Sequence, residues 1–228
     1  MKDQDLQLLA GNSVLEHLPD NARQYLLKEA LELDMPSGTT LFRQGEDARF
    51  LHLVLEGRVA LVGSSDSKDE TVVEFFHDGD VFIMPAVILE LPYLMSARTV
   101  EDSRILLIPA ARFRECMEQE PALSLAASHE LARHWRLLIR QVKDLKLRSA
   151  PQRLGSYLLS LSDTDGDRAE IELPEQRGML ARRLGMTPEN LSRAFSRLQS
   201  SGVKSRGRQI ELSDIPTLRK FCAYDDLT

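Results

Sequence analysis

A helix, a glycine-led turn and a second helix follow one another between Glu175 and Ser200, and this segment limits the possible folds most. In the turn, Gly185 suits a left-handed backbone, Thr187 is a good N-cap and Pro188 a good first helical residue. The inward positions are spaced as in two amphipathic helices: Met179, Leu180 and Leu184, then Leu191, Ala194, Phe195 and Leu198. The spacing predicts two packed helices joined by a short turn.

The outer face of the second helix carries side chains that can contact DNA bases. The candidates for base or backbone contact on this helix are Thr187, Glu189, Ser192, Arg193, Ser196 and Arg197. A glutamate can accept from cytosine N4, and an arginine can donate to guanine O6 and N7. Residues 203–212 predict a hairpin wing with three cations near phosphates: Lys204, Arg206 and Arg208. A helix pair with a merely solvated charged face is the alternative.

Charge is distributed unevenly along the chain. The whole chain has a formal net charge of −6, which argues weakly against binding to nucleic acid. Between Pro174 and Lys220, however, ten basic residues stand against four acidic ones, so this segment is +6 and the remainder −12. A basic carboxy-terminal unit on an acidic body is typical of a DNA-binding module joined to another domain.

The amino-terminal half has the pattern of a domain built from short strands. Residues 14–33 predict a helix, which Pro36 and Gly38 end. From Thr39 to Pro109, apolar runs alternate with glycine turns, and this predicts an antiparallel β-roll of the jelly-roll type. Strands are predicted at 51–55, 59–62, 72–76 and 105–108, with a solvated hairpin loop at 64–70.

A long helix is predicted from Pro121 to Arg148. Five of its side chains are spaced 4, 3, 4 and 3 residues apart, as in an a/d seam: Leu131, Trp135, Leu138, Val142 and Leu145. The seam predicts a parallel dimer interface, although a helix packed on its own domain has nearly the same pattern. The chain is therefore expected to be an α+β protein with a sensor domain at 1–120, a dimerisation helix at 121–148 and a winged helix-turn-helix at 149–228.

Composition and motif content exclude several classes of protein. At 43% hydrophobic and 28% charged residues the chain is globular, no apolar run is long enough to cross a bilayer, and no secretory signal is recognised. Cys116 and Cys222 are too few for a disulfide framework or an all-cysteine iron–sulfur cluster, so a cytoplasmic protein is expected. Common catalytic motifs are missing from the sequence, so we expect no enzymatic activity.

Over nearly its whole length, the sequence resembles the CRP/FNR family of bacterial transcription regulators. Residues 36–46, 55–57 and Gly79-Asp80 look like the structural motifs of the family's cyclic-nucleotide-binding-type β-roll. Residues 187–198 look most like the nitric-oxide-responsive denitrification branch. The resemblance implies a homodimer across the long helix, with double-stranded DNA and RNA polymerase as partners and no membrane.

The resemblance also implies a DNA sequence. The pattern Glu189-x-x-Ser192-Arg193 is similar to that of the FNR branch, and Pro188 stands where the CRP branch has an arginine. An FNR-like palindrome, TTGAT facing ATCAA, is therefore expected. Arg193 would contact the guanine, and Glu189 the cytosine paired with it.

The chain departs from the family at the ligand positions. Cyclic-AMP binders hold the ribose with a Gly-Glu pair and the phosphate with an Arg-Ser pair. Here the stretch after Gly79-Asp80-Val81-Phe82 begins Ile83-Met84, and the second slot looks like Met95-Ser96. Arg98 is the nearest arginine, but its odd offset places it on the other strand face. Usual cyclic nucleotide contacts are therefore not expected, and a cyclic-nucleotide-responsive regulator with non-standard phosphate contacts is the alternative.

The sequence leaves the identity of the effector open. Residues 81–91 are almost wholly apolar, which suits an apolar ligand or haem, although ordinary core packing explains such a run equally. The predicted pocket residues are Phe82, Met84, Val87, Met95 and Arg98. A haem that senses nitric oxide needs a donor such as histidine. His77, beside the Gly79-Asp80 turn, ranks first among the histidines at 17, 52, 77, 129 and 134.

Overall fold

The computed structural model describes residues 3–16, 18–64, 70–162 and 166–223, and the chain divides into two compact units, Met1–Arg136 and Leu137–Thr228. The predicted hairpin loop at 64–70 lies mostly outside the described residues, as does His17. The α+β fold class is confirmed. Among the described helices, none combines the length and apolar character that a membrane crossing requires.

The first unit is a β-roll flanked by helices. Its elements are α1 (Asp3–Ala10), α2 (Asp20–Leu27), β1 (Leu31–Met35), β2 (Thr40–Phe42), β3 (Phe50–Glu56), β4 (Val59–Ser64), β5 (Glu70–Phe76), β6 (Val81–Phe82), α3 (Met84–Leu89), β7 (Ser96–Thr99), β8 (Ser103–Pro109), α4 (Ala110–Gln119) and the first part of α5 (Pro121–Leu147).

Two antiparallel four-stranded sheets form the roll, in the orders β1-β8-β3-β6 and β2-β7-β4-β5. One apolar cluster, which includes Phe42, Val54, Phe82 and Ile105, draws on strands of both sheets. A second cluster joins Leu51 and Leu53 of β3 to helical side chains such as Phe113. The clusters use alternate faces of the strands because successive side chains of a strand point to opposite sides.

The turn between β3 and β4 requires a glycine. Gly57 has a φ of +96°, and a Cβ there would lie 2.5 Å from the Ser103 hydroxyl oxygen and 2.6 Å from the Asp102 carbonyl oxygen. A side chain would therefore be both strained and blocked by backbone. This geometry explains the glycine in the Leu55-Glu56-Gly57 motif.

One local sequence prediction is wrong in this unit. The helix expected at 14–33 is limited to α2 (Asp20–Leu27), because residues 14–16 form turns and residues 31–35 pair as β1 with β8, Leu31 opposite Leu107. The apolar run at 81–91 is a two-residue strand followed by helix α3. Ile83, between them, has a left-handed φ of +72°, which is unfavourable for a β-branched residue.

Arg104 fastens the amino-terminal helix to the roll. Its Nη2 donates to Asp5 Oδ2 of α1 at 2.7 Å and its Nη1 to Glu56 at 3.3 Å, and it also pairs with Glu32 of β1. The hydrogen bond from Arg104 lowers the pKa of Glu32. Asp5 is buried, and a buried charge needs such a partner.

Helix α5 is continuous from Pro121 to Leu147, as predicted to within one residue. The five residues of the apolar seam lie in two different environments. Leu131 packs against the core of the first unit, whereas four seam residues are exposed in the single chain: Trp135 at 65%, Leu138 at 43%, Val142 at 46% and Leu145 at 53%. The first seam residue therefore packs on its own domain, and the dimer interface stays a prediction for the other four.

The second unit contains the rest of α5 and a small α/β domain. Its further elements are α6 (Ala150–Leu161), β9 (Ala169–Glu172), α7 (Arg177–Arg183), α8 (Pro188–Leu198), a 3-10 turn (Gln199–Ser201), β10 (Val203–Arg206), β11 (Gln209–Leu212) and α9 (Ile215–Cys222). The three strands form an antiparallel sheet in the order β10-β11-β9. Strand β9 was not predicted.

Candidate nucleic-acid interface

Helix α8 begins and packs as the sequence predicts. The Thr187 Oγ1 accepts from the Asn190 backbone N–H at 3.2 Å, and Pro188 occupies the first turn. The four residues of the predicted apolar stripe are buried: Leu191, Ala194, Phe195 and Leu198. The cap and the stripe together fix where the helix starts and which face it presents to solvent.

The turn before α8 is held by an arginine of α6. Gly185 has a φ of +62°, as a tight turn between two helices requires. Arg153 donates from Nε to the Leu184 carbonyl at 3.0 Å and from Nη2 to the Gly185 carbonyl at 3.4 Å. This role of Arg153 could not be predicted, because nothing local to α6 indicates that its side chain reaches residues 184 and 185.

The outer face of α8 is exposed and bears both signs of charge. All six predicted contact residues of this helix and its N-cap are exposed: Thr187, Glu189, Ser192, Arg193, Ser196 and Arg197. The Arg193 Nη2 donates to the Asn190 Oδ1 at 2.7 Å. Hydrogen bonds from its own backbone N–H and from the Thr187 hydroxyl lower the pKa of Glu189, and nearby Arg193 lowers it further.

The predicted wing is present as the β10–β11 hairpin. Arg206 is exposed at the end of β10, beside the Gly207 turn. Lys204 pairs with Glu211 across the hairpin at 3.3 Å, and the Arg208 Nε donates to the Leu173 carbonyl at 2.9 Å. Of the three wing cations, Arg206 is therefore the best placed to contact a phosphate.

Arg177, whose role was not predicted from the sequence, joins the three parts of this surface. Its guanidinium lies 4.6 Å from the centre of the Phe195 ring of α8, and its Nη2 donates to the Gly207 carbonyl at 3.3 Å and to the Ser205 hydroxyl. Arg177 is the first residue of α7. One side chain thus ties α7, α8 and the wing together.

The first helix of the pair is shorter than predicted. It begins at Arg177 rather than Glu175, because the Glu175 side chain is buried and bound to other elements. The Tyr157 hydroxyl donates to Glu175 Oε1 at 3.0 Å, and Arg183 Nη1 lies 3.5 Å from the same oxygen. This buried group connects α6 to α7.

The residues predicted to line an effector pocket do not form one site. Phe82 and Met95 belong to the cluster between the sheets, whereas Met84 and Val87 pack into the helical cluster. Arg98 lies half-buried on β7. They are separated because Phe82 of β6 packs into the cluster between the sheets, whereas Met84 and Val87 of helix α3 pack into the helical cluster.

His77 is on the surface. Its side chain is 48% exposed, and its Nδ1 lies 3.8 Å from Asp80 Oδ2. His52, which ranked below it, is 3% exposed and surrounded by aromatic rings. The ranking by proximity in sequence was therefore wrong about which histidine is enclosed.

Comparison with known families matches both units. Residues 32–120 match the model of the cyclic nucleotide-binding domain, and residues 152–221 match the Crp-like helix-turn-helix domain. A solved chain from Ruegeria pomeroyi DSS-3, named as a candidate cyclic nucleotide binding protein, is 32% identical, with 98% of this chain and 99% of that chain covered and a TM-score of 0.59.

The chain belongs to the CRP/FNR family of transcription regulators.

Curated relatives of this CRP/FNR regulator lie in both main branches. The CRP-like cAMP-activated global transcriptional regulator of Mycobacterium tuberculosis is 22% identical over 94% of this chain and 98% of its own length. The transcriptional activator protein FnrA of Stutzerimonas stutzeri is 24% identical over 79% of this chain and 75% of its own length. The family places α8 as the recognition helix of a DNA-binding domain, and members of the family are regulators rather than enzymes.

Proposed function

We propose that this CRP/FNR regulator binds an FNR-like palindrome as a homodimer under the control of a small effector, and that it acts on RNA polymerase. The observation that carries the proposal is the outer face of α8. Glu189, Ser192 and Arg193 are exposed together near the amino-terminal end of the helix, which is the end that reaches base edges in helix-turn-helix proteins.

The dimer interface in this proposal is the exposed seam of α5. In the single chain, four large apolar side chains in a line along α5 are exposed to solvent: Trp135, Leu138, Val142 and Leu145. Their spacing is that of a two-stranded seam, so a second α5 helix can bury all four. Two-fold symmetry of the dimer requires two half-sites about 10 base pairs apart, centre to centre.

The experiment is an unbiased selection from random DNA duplexes with the purified full-length protein. We expect enrichment of TTGAT facing ATCAA. Recovery of a palindrome without the TTGAT core would contradict the base assignment, and recovery of unrelated single sites would contradict the symmetric dimer.

Haem, the cofactor considered from the sequence, does not fit the pocket first assigned to it. The expected donor His77 is exposed, and the pocket residues are divided between two clusters. We therefore propose a small organic effector instead. An absorption spectrum after addition of hemin checks this choice: we expect no Soret band of bound haem.

A cyclic-nucleotide-responsive regulator is the second candidate function. The similarity to a cAMP-activated relative favours it, and Arg98 on β7 is the arginine nearest in sequence to the phosphate slot. The absence of an Arg-Ser pair from the phosphate slot opposes it. A calorimetric titration with cyclic AMP separates the two, since binding tighter than about 1 mM supports the second candidate.

A further inference from the structure

The β-roll contains a cavity away from the predicted pocket. Its volume is about 560 Å³, within the range of about 300–1,000 Å³ typical of small-molecule sites. None of the five predicted pocket residues lines it. The side chains around it come from β1, β2, β3 and β8, together with Tyr93 and residues 45–49.

The floor of the cavity is aromatic and apolar. Phe42 and Tyr93 are stacked with their ring centres 3.8 Å apart, and Leu41 and Leu107 add aliphatic surface. Such walls favour a flat, apolar molecule, because stacking and burial of apolar area both stabilise it.

One polar side chain in this lining has a nitrogen that makes no hydrogen bond among the described residues. His52 is 3% exposed, and its ring lies 5.0 Å from the Phe42 ring and 5.1 Å from the Phe82 ring, centre to centre. Its Nδ1 is buried without a hydrogen-bond partner among the described residues. A buried nitrogen without a hydrogen bond has lost its contact with water and gained nothing in return, so a ligand that bonds to it binds more tightly than one that does not.

The charges at the rim of the cavity are paired. Asp47 and Arg49 are exposed there and lie 3.6 Å apart, and Glu46, also at the rim, lies 4.0 Å from Arg43. Both guanidinium groups already have a carboxylate partner, so the rim has no surplus of positive charge to attract a phosphate or a carboxylate. The same pairing gives no added attraction for the two propionates of haem.

We propose that this cavity binds a neutral, apolar ring compound that carries a hydroxyl group, and that the hydroxyl bonds to His52 Nδ1. A hydroxyl both donates and accepts, so it satisfies the imidazole nitrogen in either tautomer. The proposal concerns ligand binding by the β-roll and does not depend on which DNA sequence the other unit recognises.

The test uses a matched pair of probes, 1-naphthol and naphthalene, titrated into the full chain by calorimetry or by ligand fluorescence. They share the ring system and differ in the hydroxyl. We expect saturable binding of one 1-naphthol per chain and about tenfold weaker binding of naphthalene, the factor that one buried hydrogen bond supplies.

Two variants assign the binding to this cavity. His52→Phe keeps a ring in the cluster but removes the nitrogen, so the affinity for 1-naphthol should fall about tenfold, to that of naphthalene, with naphthalene unchanged. Leu41→Trp should fill the cavity and abolish binding of both probes. Leu94→Trp is the control, because Leu94 is exposed and does not line the cavity.

Three results would overturn the proposal. The first is no saturable binding of 1-naphthol up to about 1 mM. The second is equal affinity of the two probes, or unchanged binding in both Leu41→Trp and His52→Phe. The third is a Soret band with hemin that is lost in His52→Phe, which would make the cavity a haem site. Because one variant removes a polar atom and the other fills space at a different position, a folding defect in one leaves the other as a test.

Discussion

At the scale of single residues, the side chains expected to contact bases are already held on the surface of α8. Asn190 accepts from the Arg193 Nη2, while the Thr187 hydroxyl and a backbone N–H bond to Glu189. An arginine has five N–H donors, so Arg193 can keep its bond to Asn190 and still contact guanine O6 and N7. Held side chains lose less entropy when DNA binds.

Replacement of Arg193 should therefore change sequence preference. In Arg193→Ala, we expect a loss of about 1–3 kcal/mol in binding to the preferred site and a relaxed choice at one G·C pair of each half-site. Competition binding with duplexes substituted at each position measures both effects. A uniform loss at all positions would contradict base contact by Arg193.

Arg206 should behave differently, because it lies in the wing rather than on the outer face of α8. Arg206→Ala should weaken binding to all sequences by a similar factor and reduce the slope of log affinity against log salt by about one. Titrations at several salt concentrations test this. A change in base preference with an unaltered salt slope would assign Arg206 to a base instead.

His52 should make the stability of the chain depend on pH. Burial lowers the pKa of His52 to about 4, with the Phe50 carbonyl partly opposing the shift, whereas an unfolded imidazole titrates near 6.5. Between these values the unfolded state binds the proton and the folded state does not, so acid favours unfolding. The stability present above about pH 6.5 should fall by about 3 kcal/mol as the pH drops to about 4.

His52→Phe is the comparison for this prediction. Urea unfolding of both proteins across the same pH range isolates the contribution of the imidazole, because the other ionisable groups are shared. A parallel decline in the two proteins would show that His52 does not carry the effect.

At the scale of elements, the amino-terminal cap of α8 should contribute measurable stability. Thr187→Ala removes the acceptor for the Asn190 N–H and should cost about 1 kcal/mol in the free energy of unfolding. Ser192→Ala, on the exposed face of the same helix, is the control and should change stability by less than about 0.5 kcal/mol. Equal effects of the two would contradict a capping role.

The helix-turn-helix could be predicted from the sequence because its signals are local. The cap at Thr187, the left-handed Gly185 and the apolar stripe of α8 all lie within fifteen residues, and each agrees with the others. Residues 31–35 carry no comparable signal. They form a strand because β8, about seventy residues later, supplies the hydrogen-bonding partner.

The β-roll cavity could not be predicted for the same reason. The residues that line the cavity belong to separate segments, and only the pairing of the strands brings them together. Examples are Leu33, Phe42, His52, Tyr93 and Leu107. The sequence indicated an apolar run at 81–91 but could not show that its side chains divide between two clusters. The hydrogen bonds from Arg153 to the Leu184 and Gly185 carbonyls could not be predicted either, because they also join separate segments of the chain.

At the scale of the whole molecule, the proposed assembly uses the seam of α5. In a dimer, Leu138→Asp would place two carboxylates opposite each other in an apolar interface, and we expect a loss of several kcal/mol in dimer stability. Analytical ultracentrifugation should then show monomers at concentrations where the native chain is dimeric. Leu94→Asp, at an exposed leucine outside α5, should leave the dimer intact.

The seam also gives the protein an optical property. Trp135 is the single tryptophan of the chain, and 65% of its side chain faces water in one protomer. All of the intrinsic indole emission therefore originates from one position on the surface that assembly is expected to cover. Dilution through the dissociation range should shift the emission maximum towards longer wavelength, so that an unlabelled sample reports its own subunit equilibrium while effectors or DNA are added.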